Sequence, residues 1–168
     1  MKRVVTKIGD IFEVRMDEGH KKYFQYIAND LMQLNSSVIR AFKKVYPISD
    51  NPDLTEIIKR EVDFYVYCIL RVGVKLNLWT KLCKLSNVGN LDDIIFRDTD
   101  DYGIKRGEES IKVSHKWFVW RINDQKFTYV GKLEGENRKA EIGLVFNPYS
   151  IIDRMQLGRY KTSYPDFE

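Results

Sequence analysis

Strict alternation marks the start of the chain. In DIFEVRM, Phe12, Val14 and Met16 fall on one side and Glu13 and Arg15 on the other. That is the period of two expected of a half-buried strand. Asp17, Glu18 and Gly19 supply a turn, and KKYFQYIA resumes an extended, aromatic-rich pattern. The opening therefore predicts a β-hairpin with His20 at its tip.

The next segments are mixed. VIRAFKKVY (38–46) has the β-branched and aromatic content of a strand, yet Val38, Phe42 and Val45 would also line one helical face. Asn51-Pro52-Asp53 ahead of Leu54, Ile57 and Ile58 predicts a helix start, with Asp53 as cap and Glu56 completing a capping-box pattern. That helix is short, because VDFYVYCILRV returns to strand composition after Glu61. TKLCKLS and LDDIIFRD follow as extended segments. WFVWRI and KFTYVG, joined by Asn123-Asp124-Gln125, form a second hairpin. EIGLVF reads as one more strand. In NPYSIIDRMQLG, Asn147 caps a helix, Pro148 suits its first turn and Gly158 stops it. Ile151, Ile152 and Met155 make its buried stripe.

These elements predict a mainly β, α+β fold in one domain spanning residues 1–168. Its antiparallel sheet is strongly bent or partly closed, with two short helices packed on one face or plugging an open end.

Composition adds bounds. Hydrophobic residues at 43% and aromatics at 13% suffice for a real core, and a net charge of +4 permits an acidic or nucleic-acid partner without demanding one. Cys68 and Cys83 sit at a spacing that matches no zinc pattern and predict free thiols in a reducing compartment. MKRVVTKIGD lacks the apolar stretch of a signal peptide, and the run FYVYCIL is too short to span a membrane. The expectation is a cytoplasmic protein with no membrane contact.

Candidate chemistry is sparse. His20 and His115 are the only histidines, and neither falls in a G-x-S-x-G or H-E-x-x-H setting; both read as solvated polar side chains. Starting at Asp98, the loop FRDTDDYGIKRGEE offers Asp98, Asp100, Gly103 and Glu109 at positions 1, 3, 6 and 12 of a calcium loop. Position 5 is Tyr102 and position 9 is Arg106, both unsuited to the ion, so an acidic loop between strands is the better account. Nucleotide-binding glycine loops are absent, and no Glu-x-Lys follows Pro52-Asp53 as a nuclease core would require. KKYFQY, FKKVY and GRYK interleave basic and aromatic residues, as phosphate contact plus base stacking would need, although lysines that guard strand edges look the same. Trp117 and Trp120 stand three apart in one strand and so point to opposite faces, one into the core and the other exposed or covered by a helix.

Taken in order, KIGDIFEV with its following aromatic strand, VIRAFKKVYP, LNLW, IIFRDTDDYG, FTYVGKL and NPYSIIDRMQLGRYKTSYPDF resemble the bacterial immunity-protein family numbered 26, found in polymorphic toxin systems. The resemblance covers most of the chain. It implies a mostly β, cytoplasmic protein that binds a cognate toxin domain and blocks it without catalysis, cofactor or metal. It carries no contact residues with it. The acidic loop of Asp98, Asp100 and Asp101 with Tyr102 is the expected partner contact. The alternative is a nucleic-acid-binding module that uses the basic, aromatic strands.

Overall fold

The computed structural model describes residues 5–103 and 107–168. The first hairpin forms as its alternation predicts, from β1 (Asp10–Arg15) and β2 (His20–Asp30). VIRAFKKVY resolves to a strand, β3 (Ser36–Phe42), followed by a two-residue β4 (Tyr46–Pro47). Asp53 caps α1 (Leu54–Ile57) by accepting from the Thr55 N–H, while Glu56 turns to Lys59 at 2.7 Å. β5 (Val62–Cys68), α2 (Leu70–Lys75) and β6 (Thr80–Lys84) follow. Then come β7 (Ile95–Thr99), β8 (Trp117–Arg121), β9 (Thr128–Gly131), a 3-10 turn over Gly135–Lys139, β10 (Glu141–Ile142) and β11 (Val145–Phe146). The chain then enters α3 (Pro148–Leu157). Asn147 accepts from the Ser150 N–H to cap α3, and Gly158 closes it at φ 72°.

The result is mainly β, with antiparallel pairing dominant, and its strands are divided between two open sheets. One sheet has the order β11-β5-β3-β2-β1-β6, with β4 added to β2; the other has the order β10-β7-β8-β9. Both faces of the larger sheet are covered. Phe12, Val14, Phe24, Ile39, Ala41, Phe64 and Val66 meet Leu70 of α2, Trp79, and Ile151 and Met155 of α3. On the opposite face, Ile11, Tyr23 and Phe42 pack on Ile57 of α1, while Ile27, Val38 and Tyr67 pack on Phe96 and Trp120 of the smaller sheet. Between these two apolar clusters lies a polar pair. Arg40 stands directly opposite Gln25 in the ladder and donates to its Oε1 from Nε (3.0 Å) and Nη2 (2.7 Å).

Two segments depart from the sequence reading. The VDFYVYCILRV strand ends at Cys68, and ILRV turns into α2, giving a third helix. The cause is tertiary: Trp79 donates to the Leu70 carbonyl and its ring lies where a Cβ on Gly73 would be, 2.0 Å from the nearest ring atom. EIGLVF alternates like one strand but splits at Gly143 into β10, parallel to β7, and β11, parallel to β5. The segment thus crosses from one sheet to the other. A Cβ on Gly143 would sit 2.2 Å from the Trp120 ring, so the crossing needs glycine for close approach. Both tryptophans of β8 are buried. Trp120 lies between the sheets, and Trp117 lies on the outer face under Tyr164 and Phe167 of the C-terminal segment.

Gly143→Ala therefore drives a methyl group into Trp120 and should lower unfolding stability by about 1–3 kcal/mol. A urea denaturation midpoint equal to that of the wild type would contradict this account of the crossing.

Candidate functional site

The four residues expected to contact a partner do not act as one patch. Asp98 lies in β7, where its Oδ1 accepts from the Tyr164 hydroxyl and the Thr99 N–H, each at 2.8 Å. Burial and the Asp98 charge push the Tyr164 phenol up, so it remains a donor. Asp101 is drawn inward. Its Oδ2 accepts from Ser114 Oγ at 2.8 Å, its Oδ1 faces Lys116 Nζ at 3.3 Å, and Ser114 Oγ also meets Thr99. Asp100 is exposed, and Tyr102 packs its ring 5.0 Å from that of Tyr164 while keeping an open face. Arg106, at position 9 of the calcium reading, lies outside the described residues. Among the described residues, no group of three metal-ligating side chains comes together.

The basic, aromatic stretch KKYFQY turns out to serve the interior. Lys21 and Lys22 are buried, with Lys21 Nζ 2.9 Å from Glu13 and Lys22 Nζ 3.3 Å from Asp63 and 3.1 Å from the Met155 carbonyl. Lys43 pairs with Glu61, Lys44 sits over the Tyr46 ring, and Lys161 pairs with Asp153. Burial withdraws Lys21 and Lys22 from phosphate contact, whereas Lys43, Lys44 and Lys161 remain on the surface. His20 is exposed and pairs with Asp17 through Nδ1 at 3.0 Å, and His115 is exposed beside β8. Cys68 and Cys83 are free thiols; burial pushes the Cys68 thiol well above its ordinary range.

The surface that stands out is the β2–β3 turn. Leu31, Met32 and Leu34 are exposed there, Leu34 by 86%. Leu34 and Asn35 both occupy the left-handed region, at φ 53° and 54°. A branched aliphatic residue in that conformation costs about 1–2 kcal/mol relative to glycine. The turn is held from below. Asp30 is fully buried, and its Oδ1 accepts from the N–H groups of Met32 (2.9 Å) and Gln33 (3.2 Å). Its Oδ2 accepts from the Tyr67 hydroxyl at 2.6 Å, and that hydroxyl in turn accepts from Trp120 Nε1 at 3.1 Å. Burial, reinforced by the bond to Asp30, pushes the Tyr67 phenol far up and keeps its proton on. The tip of the β8–β9 hairpin supports the turn from the side, where Asn123 Oδ1 accepts from the Leu31 N–H at 2.8 Å.

Beside this turn opens a cleft of about 470 Å³. It is lined by Met32 and Leu34 of the turn, Trp120 and Phe127 of the β8–β9 hairpin, Gly143 and Leu144 of the crossing segment, and Asp98 and Tyr102. Two of the four expected contact residues thus reach this cleft, and Asp100 and Asp101 do not line it. The apolar turn escaped the sequence reading, although NDLMQLN carries its signal: three large apolar residues where a connection between strands is ordinarily polar. No family model, curated protein or solved structure matches the chain. Among the described residues no helix is long and apolar enough to cross a membrane.

Tyr67→Phe should leave Asp30 Oδ2 and Trp120 Nε1 without partners in a buried setting, at a cost of roughly 2–4 kcal/mol for the two groups together. Amide hydrogen exchange at Met32 and Gln33 should rise in the same variant, because their acceptor loses its anchor. Protection there equal to wild type would show that the turn is held by something else.

Proposed function

We propose that this chain is a non-catalytic binding protein of the immunity type, which occludes a cognate toxin domain through the face built around Leu34. One observation carries the reading: an aliphatic side chain held in a left-handed backbone conformation and almost wholly presented to solvent. The left-handed pair Leu34-Asn35 turns the β2–β3 hairpin, but a large, exposed aliphatic side chain at a position that suits glycine or asparagine does not help the fold, and such a cost is the kind that accumulates at binding surfaces. Leu31, Met32, Phe127 and Tyr102 lie around it as further exposed apolar groups. A small set of large side chains grouped in this way is what supplies most of the affinity in protein interfaces. The resemblance to the immunity family supplies the partner class. The cleft's Asp98 favours a partner group that is cationic at this point. The reading requires no metal or cofactor.

Co-expression with each toxin-like domain encoded beside the gene tests it. The wild-type chain should restore growth and co-purify with one of them. Leu34→Asp should weaken that complex by about 30-fold or more, as the loss of a central anchor does. Leu34→Gly should weaken it too while stabilising the isolated chain by about 1 kcal/mol through relief of the left-handed strain. Failure to neutralise any neighbour, or full capture by the Leu34→Asp chain, would defeat the proposal.

A further inference from the structure

We propose that the cleft beside Leu34 receives an arginine side chain from the partner protein; this rests on the binding reading above and specifies its chemistry. Among the described residues that line the cleft, Asp98 alone carries a charge. Its Oδ1 is occupied by Tyr164 and Thr99, and its Oδ2 has no hydrogen-bond partner among the described residues. Across the opening, Phe127 stacks on Trp120 with ring centroids 4.2 Å apart and planes 22° from parallel, and Phe127 still keeps 47% of its surface exposed. Tyr102 adds a third ring, 40% exposed, on the Asp98 side.

Aromatic faces are electron-rich, and a carboxylate oxygen among them needs a donor once water is displaced. An aliphatic side chain from the partner would cover the rings but strand the Asp98 oxygen. A carboxylate would be repelled by it. A guanidinium satisfies both demands at once, because its planar face stacks on a ring while its edge donates to the carboxylate. An ammonium would meet the charge but would stack less well and desolvate at greater cost. Leu34, Leu144 and Val145 also line the cleft, and their apolar side chains suit the methylene stem of such a side chain.

The probe is N-acetyl-L-argininamide, titrated into the full chain at low ionic strength and followed by two-dimensional NMR. The neutral isostere N-acetyl-L-citrullinamide is the comparator. Argininamide should shift signals of Trp120, Phe127 and Tyr102, and citrullinamide should bind about tenfold more weakly. Asp98→Asn keeps an acceptor for Tyr164 and should erase the difference between the two probes. Phe127→Ala, at an exposed site, should weaken argininamide without unfolding the chain. Equal binding of the two probes by the wild type, or binding of neither, would overturn the arginine proposal. If that happened while Leu34→Asp still abolished capture of the toxin domain, the binding face would stand and only its cationic occupant would be lost. If argininamide bound as expected while the Leu34 variants captured the partner unaltered, the face would fall, and with it the partner as source of the side chain.

Discussion

Tyr67 donates to Asp30 and accepts from Trp120 at a depth where none of the three can turn to water instead. Each residue belongs to a different part of the fold: Tyr67 to β5, Asp30 to the end of β2, and Trp120 to the smaller sheet. Removing Tyr67 or Asp30 leaves a buried polar group without its partner, which costs more than a hydrogen bond gains. The contact thereby fixes how the two sheets meet. Because the second oxygen of Asp30 holds the Met32 and Gln33 amides, it also fixes the turn that presents Leu34. Sheet packing and surface shape are consequences of the same three side chains.

Around that contact, the fold tolerates polar groups inside only where they are satisfied. Arg40 is buried and has no carboxylate partner among the described residues, and its burial lowers the guanidinium's affinity for its proton. It is accommodated because Gln25 accepts two of its bonds and the Asn87 carbonyl a third, while the Gln25 amide donates to the Gly9 and Leu85 carbonyls. The pair thus pins the residue before β1 and the segment just after β6 onto the sheet. Lys21 and Lys22 follow the same logic with Glu13 and Asp63, at positions where period-two alternation would place them beneath α1 or α3. Such pairs add little net stability, since desolvation offsets their attraction, but breaking one would leave a charge stranded.

Local chemistry made much of the fold legible. Asn147, Pro148 and Gly158 bracket α3 at its observed ends, the hairpins begin and end at their turn residues, and Asp53 caps α1. What resisted reading depends on partners distant in the chain. The division into two sheets follows from Trp120 facing Tyr67 and Phe96, which no pattern within β8 discloses. The split of EIGLVF follows from the need to pass the Trp120 ring at Gly143. ILRV has strand composition, yet Trp79 recruits it into a helix. At the candidate site, Asp98 and Tyr102 were readable as an acidic, aromatic loop. Their meeting with Met32 and Phe127 is a product of tertiary folding alone.

The net charge of +4 describes the surface around Leu34 poorly, and one reason is depth. Lys21, Lys22 and Arg40 place positive charge in the interior, where neighbouring groups engage it. Lys43, Lys59, Lys139 and Lys161 each pair with a nearby carboxylate on the surface. At physiological ionic strength an exposed charge is felt over only about 8 Å, so a partner approaching Leu34 responds to the groups beside it and little else. Among the described residues that line the cleft there, Asp98 is the charged one, set among aromatic and aliphatic side chains. A chain that is basic overall can still carry a carboxylate among aromatic and aliphatic side chains at one point of its surface, because local groups and not net charge set the potential there.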